Sequence, residues 1–185
     1  DEFLAEIQGI PRKNLALELL KRLLNDEIKG RAKTNLVQGK KFSELLAEAV
    51  KRYQNGLIDS AQVIEELIKL AKDIREADKR GEKLNLRTDE LAFYDALADN
   101  PKAEAVLGDQ ILKMIAHELV ESVRSNTSID WQIKESVQAK LRVLVKRILR
   151  KYKYPPDDPA TGEYTVSVTK VLDQAELLAE YWTKN

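Results

Sequence analysis

SIDWQIKESVQAKLRVLVKRILRKYKYPPDD, residues 128–158, is the stretch from which the fold is read. Ile133, Val137, Leu141, Leu144, Val145, Ile148 and Tyr152 recur at three- and four-residue spacing, which predicts an amphipathic helix. At about 100° per residue these side chains fill one arc of the helix. Lys134, Lys140, Arg142, Lys146, Arg147, Arg150, Lys151 and Lys153 fill most of the other. Against Glu135 alone, residues 134–153 carry eight positive charges and one negative, a local net of +7. Ser128 or Asp130 is placed to cap the start by accepting a free backbone N–H. Trp131, beside Ile129 and Ile133, is placed to close the end of a core. Pro155-Pro156 is expected to end the helix, because neither proline donates a hydrogen bond and Pro155 pushes Tyr154 out of the α region. A helix over residues 131–152 would be a rod roughly 30 Å long.

The rest of the chain carries the same helical signature. Residues 1–10 place Phe3, Leu4 and Ile7 on one side before Pro11 breaks the pattern. Leu15, Leu19, Leu20, Leu23, Leu24 and Ile28 form a wide stripe that predicts a helix from about Arg12 to the mid-thirties, weakened at its end by Gly30 and Gly39. Ser43 is the expected cap of a third helix, with Leu45, Leu46, Ala49, Val50 and Tyr53 inward and a left-handed turn at Asn55-Gly56. Asp59 or Ser60 opens a fourth, whose core face is Val63, Ile64, Leu67, Ile68, Ala71 and Ile74 and whose expected stop is Gly81. Thr88 caps a short helix over DELAFYDALADN. Asn100-Pro101 begins a turn, and Asp109 caps a helix containing Ile111, Leu112, Ile115, Leu119, Val120 and Val123. DDPATGE reads as a loop and TVSVT (165–169) alternates as a strand would, yet the tail is assigned as helix from about Val168. There Val171, Leu172, Ala175, Leu178, Ala179 and Trp182 align.

Composition agrees with an all-α chain. Few Gly and Pro beside abundant Leu, Ala, Glu and Lys favour helix, and 185 residues suit one domain, or one domain with a helical arm. The formal net charge is zero but unevenly placed. Residues 59–100 hold seven basic against eleven acidic groups, and residues 154–185 hold two against six, so part of the +7 is expected to be neutralised within the fold. Cysteine is absent, which excludes disulfides and thiolate metal sites and suits a reducing, cytoplasmic setting. No apolar run approaches the twenty or so residues of a membrane span, and no signal peptide is expected. The chain opens at Asp1 directly in a helical pattern and reads as a piece of something longer.

Motifs for chemistry are missing. No GxxxxGK[ST] is present to cradle phosphates, and no GxGxxG. His117 is the single histidine, with no second imidazole or thiol to complete a metal site. Glu27-Ile28-Lys29 matches a carboxylate-x-lysine nuclease fragment, but it lies in a helical stretch with no upstream metal-binding aspartate on a strand. Glu65-Glu66 and Asp89-Glu90 sit in first turns, where carboxylates favour the helix dipole. The basic arc remains. Lys134, Arg142, Val143, Lys146, Arg147, Arg150 and Lys153 are the candidate binding residues, for an acidic protein surface or for phosphates. Val143 discriminates, because a merely solvated face gains nothing from a valine near its centre.

Several phrases together resemble a known family. NLALELLKRLLNDEIKGRAKTNLVQGKKFSELL (14–46), AQVIEELIKLAKDIREADKRGEKL (61–84), DELAFYDALADN (89–100), LGDQILKMIAHELVESVR (107–124) and residues 128–157 resemble, in collinear order, the C-terminal helical region of the R subunit of type I restriction enzymes. DDPATGEYTV (157–166) departs from it, being longer and richer in turn formers than the family's link into its final helix. The resemblance implies an all-α multi-helix domain over residues 1–185, built around the basic helix, in which 1–58 can serve as an arm toward upstream motor domains. It implies a parent that is an ATP-dependent DNA translocase and endonuclease, with ATP and Mg bound only upstream. No catalytic, cofactor or metal residue carries over to this chain, so the fragment itself is expected to be no enzyme. The implied partner is the methyltransferase core of modification and specificity subunits, with DNA backbone binding by 134–153 as the alternative. Neither a membrane nor a small-molecule substrate is expected.

Overall fold

The structure is a computed structural model and describes residues 2–127 and 135–185. All regular structure among these residues is helix: α1 (Glu2–Gly9), α2 (Lys13–Ala32), α3 (Leu36–Gln54), α4 (Ser60–Leu84), α5 (Thr88–Ala98), α6 (Ala103–Leu107), α7 (Asp109–Asn126), α8 (Glu135–Lys151) and α9 (Gly162–Lys184). The expected all-α, multi-helix architecture is the one observed. The chain divides into two compact units, Asp1–Ala32 with Gln38–Lys83, and Lys33–Val37 with Leu84–Asn185.

The first unit is an aliphatic assembly of α1 to α4. Ile7, Leu20, Leu24, Phe42, Val63 and Leu67 meet in one buried cluster. The α2 stripe is only half inward: Leu20, Leu24 and Ile28 are buried with Ala16 and Leu17, whereas Leu15, Leu19 and Leu23 are exposed. A stripe of six leucines and isoleucines is wider than one contact face, and packing selected the edge shared with Ala16 and Leu17. Helix α3 begins seven residues before Ser43, which lies inside it. Gly39 belongs to that helix and not to the end of α2. A Cβ there would stand 2.7 Å from the Ala32 Cα and Cβ, so the glycine permits close approach of two backbones. Gly56 ends α3 in the left-handed conformation expected (φ 71°), with Gly56 N–H donating to Tyr53 and Leu57 N–H to Arg52. Asp59 and Gln62 cap α4 reciprocally, each side chain accepting from the other's backbone N–H at 2.8 and 2.9 Å. Gly81 does not stop α4, which runs on to Leu84. The stop falls at Asn85, whose positive φ of 55° supplies the left-handed turn.

The second unit is layered around α5. Every residue from Glu90 to Leu97 is buried, so this helix has no solvent face. It packs on α7 and α9, and α8 closes against both of those. Arg87, one residue before Thr88, holds the N-cap position: its N–H donates to Glu90 Oε2 at 2.8 Å. Asn100 makes the expected turn by accepting the Lys102 N–H at 2.9 Å. Gly108 (φ 83°) holds the N-cap position of α7, so Asp109, the expected cap, is instead the helix's first residue, where its carboxylate accepts from Tyr94 OH at 2.6 Å. Helix α9 starts at Gly162, six residues before Val168, with Thr161 as cap. TVSVT is therefore helical and not a strand. Its β-branched residues accept helix geometry because Ser167, Val168, Val171 and Leu172 then fall on the side that meets the core.

Polar bonds fix where the second unit's elements lie. Gln174, fully buried, accepts the Leu36 N–H at 2.9 Å and donates to the Thr34 carbonyl at 2.8 Å. Asn35 donates to Asp95 at 2.9 Å, and Asn100 to Ser167 at 2.9 Å and Asp157 at 2.5 Å. Tyr154 OH donates to the Leu97 carbonyl at 2.9 Å, and burial raises the phenol's pKa.

Candidate functional site on the basic helix

The described part of α8 is amphipathic in the phase read from sequence. Leu141, Val145 and Ile148 are buried, Val137, Leu144 and Tyr152 are half-buried, and Leu149 joins them as an inward residue that the spacing did not assign. Leu149 follows Val145 by one turn, at the edge of the arc nearest α9. The helix ends before the prolines. Lys153 N–H donates to Arg150 and Tyr154 N–H to Leu149, with Lys153 itself left-handed at φ 56°. This is the same ending as at Gly56, with lysine in glycine's place. Pro155 and Pro156 follow the stop and do not cause it. Lys134, Trp131 and the expected caps Ser128 and Asp130 lie outside the described residues.

Two of the seven described cations are neutralised by neighbouring helices. Arg142 Nε donates to Glu176 of α9 at 2.5 Å, a contact that raises the guanidinium's pKa. Lys151 Nζ lies 3.0 Å from both oxygens of Glu118 on α7, and Tyr152 OH donates to the same carboxylate at 2.5 Å. The Tyr152 hydrogen bond, joined by Lys151 against the opposing effect of burial, holds Glu118 below the usual glutamate range. Neither acid was legible as a partner from α8 alone. For Glu176 the signal lay in the acids spaced by three and four along α9 (Asp173, Glu176, Glu180), once α9 is known to pack beside α8; Glu118 on α7 carried no such signal.

The other described cations of the arc, the candidates Lys146, Arg147, Arg150 and Lys153 with Lys140 beside them, keep their charge available. Lys140, Lys146, Arg147, Arg150 and Lys153 have no ion-pair partner among the described residues, and all five are exposed. Val143 stands 64% exposed among them, diametrically opposite the buried face. The structure thus brings Arg142, Val143, Lys146, Arg147 and Arg150 onto one outward surface, with Lys153 just beyond its end. No cluster of three or more metal-ligating side chains exists among the described residues, and no helix there is long and apolar enough to cross a membrane.

Comparison with known proteins shows the family to which this chain belongs. Residues 1–181 match the family described as "Type I restriction enzyme HindI endonuclease subunit-like, C-terminal". The chain belongs to this family. Across 180 residues it is 42% identical to the "Type I restriction enzyme HindI endonuclease subunit" of Haemophilus influenzae, a match that takes in 97% of this chain and 17% of that protein. It is 39% identical over 154 residues to the "Putative type I restriction enzyme MjaIXP endonuclease subunit" of Methanocaldococcus jannaschii, a match that takes in 82% of this chain and 14% of that protein. No solved structure matches. The family match includes DDPATGEYTV, which in this restriction-enzyme domain forms the link into α9 and its first turn.

Proposed function

We propose that this domain docks the endonuclease subunit of a type I restriction system onto its methyltransferase core of modification and specificity subunits. It carries no catalysis of its own. The parent protein is the ATP-driven DNA translocase and nuclease, working in the cytoplasm, with ATP and Mg held by its upstream domains and residues 1–58 leading toward them. The supporting observation is Val143, an exposed valine flanked by Lys140, Lys146 and Arg147, which have no ion-pair partner among the described residues. Apolar area that partners desolvate, ringed by charges that steer them in, is how protein interfaces are built. DNA backbone binding is the second reading, favoured by Lys146, Arg147, Arg150 and Lys153, which are exposed and have no ion-pair partner among the described residues.

Co-elution of the chain with the methyltransferase subunits tests the first reading. Val143→Asp should weaken co-elution about tenfold or more, the scale of losing a central contact, while circular dichroism stays unchanged. Arg147→Glu should act mainly at low salt. Parent-like assembly of both variants would remove the basic face from docking. Steep loss of duplex affinity with salt, indifferent to Val143→Asp, would favour the DNA reading, because phosphate contact needs no apolar centre.

A further inference from the structure

Beside the exposed face, α8 and α9 diverge enough to leave a groove of about 410 Å³. Its floor is apolar: Leu149 from α8, and Val168 and Leu172 from α9. Lys146 and Arg150, one turn apart on α8, line one rim, and the exposed Thr165 and Thr169 line the other. No carboxylate lines it. The basic-helix reading alone did not reveal this groove, because its second wall is the TVSVT stretch that alternates like a strand.

We propose that this groove seats an acidic peptide segment of a protein partner, an apolar side chain filling the floor while flanking carboxylates pair with Lys146 and Arg150. The inference rests on the docking reading and names the subsite within it. Three features point to that occupant. The two rim cations have no ion-pair partner among the described residues, the Arg150 Nε donating only to the Lys146 carbonyl at 3.4 Å, although Arg142, one turn earlier on the same side of α8, already has Glu176. A carboxylate arriving there therefore displaces no existing ion pair. The threonine rim offers hydrogen bonds to a peptide backbone at the facing wall. The apolar floor is what separates a peptide from nucleic acid: a duplex backbone laid across the cations would leave Val168 and Leu172 uncovered.

The test uses the full chain, isotopically labelled for NMR, and a blocked peptide with a central leucine flanked by glutamates. Its controls are the same peptide with serine for leucine, and a short DNA duplex. The acidic leucine peptide should shift the amides of Thr165, Thr169 and Leu172, and the serine peptide should bind about fivefold or more weaker, as expected for an apolar side chain leaving its pocket. Lys146→Glu with Arg150→Glu should weaken the leucine peptide about tenfold or more through lost pairing and added repulsion. Thr165→Trp should fill the groove and block the peptide at unchanged charge. Should that variant not fold, the charge pair, exposed at both positions, decides the matter alone. Shifts that are larger with duplex than with peptide, equal binding of the leucine and serine peptides, or indifference to charge reversal would each overturn the proposal. Co-elution with the methyltransferase subunits keeps the two readings apart. If the groove variants lose the peptide yet assemble like the parent, this subsite is wrong and docking stands. If the parent does not assemble, docking fails while the amide shifts still decide whether the groove takes the peptide.

Discussion

The two units of this chain are closed by different forces. In the first, the buried cluster is aliphatic apart from Phe42, and Gln38 is the one buried polar residue among those described. In the second, Asn35, Glu90, Asp95, Asn100, Ser167 and Gln174 are all buried and tie segments far apart in sequence to one another. Apolar burial is non-directional and tolerates small changes of register. A buried hydrogen bond is directional and costly to leave unmade. The unit that presents the basic face is thus the one richer in buried polar bonds, to which the Glu118 bonds to Tyr152 and Lys151 add a tie from α7 to the end of α8. In the first unit the interhelical bonds are those of Arg31 to Gln38 and Asp78 and of Arg52 to Glu66.

The strongest test of the comparison is a large deletion at the centre of the second unit. Phe93, fully buried on α5, should cost about 3–5 kcal/mol when truncated to alanine. Urea unfolding followed by circular dichroism measures it. A loss under about 1 kcal/mol would mean that α5 is not enclosed and that the layered description fails. Next in size is Gln174→Leu. It removes the acceptor of the Leu36 N–H and the donor to the Thr34 carbonyl, at about 1–3 kcal/mol for a stranded group. The distinguishing measurement is hydrogen exchange at the Leu36 amide, which should accelerate more than global stability accounts for. If exchange there tracks the global change, the polar bond is incidental and the second unit is held like the first.

The same contrast explains what the sequence made legible. Helices with one wet and one dry face announce themselves, which is why α4, α7 and α8 were phased correctly down to Leu67, Leu119 and Val145. Helix α5 has no such periodicity because it has no wet face; Glu90 and Asp95 are interior and satisfied, by the Arg87 backbone and Asn35 among others. Its central place follows only from tertiary contacts. The basic residues of the candidate site were readable, but which of them remain available was not, since Glu118 and Glu176 come from other helices. The groove was hidden because β-branched TVSVT prefers a strand locally and is overruled by the core that α9 joins.

A smaller effect probes the first unit. Gly39→Ala places a methyl group 2.7 Å from Ala32 Cα, so α2 and α3 must move apart locally. Overpacking of this kind costs about 1–3 kcal/mol, offset by roughly 1 kcal/mol of helix propensity gained over glycine. The expected net is a destabilisation of about 1 kcal/mol, read as a lower urea midpoint. An unchanged or higher midpoint would show that the aliphatic unit accommodates the methyl freely, which would sharpen its contrast with the polar one.

The least costly change is predicted to stabilise, and it sits where the two units use one device differently. Helices α3 and α8 end with the same pair of hydrogen bonds around a left-handed residue, Gly56 in one and Lys153 in the other. A lysine there carries a Cβ crowded against the following carbonyl, a penalty of about 1 kcal/mol that glycine avoids. Glycine loses more entropy on folding, so Lys153→Gly should return less than that, about 0.5 kcal/mol of stability. A small rise in thermal midpoint checks it. If Lys153 is only a surface residue, the variant gains stability and assembles with the methyltransferase like the parent. If Lys153 belongs to the docking face, the same variant gains stability and loses affinity, most clearly at low salt. Opposite signs in the two measurements would mark lysine at this turn as kept for binding at the expense of the fold. A variant no more stable than the parent would show that Lys153 meets no strain there, and that the glycine at position 56 has no lesson for the end of α8.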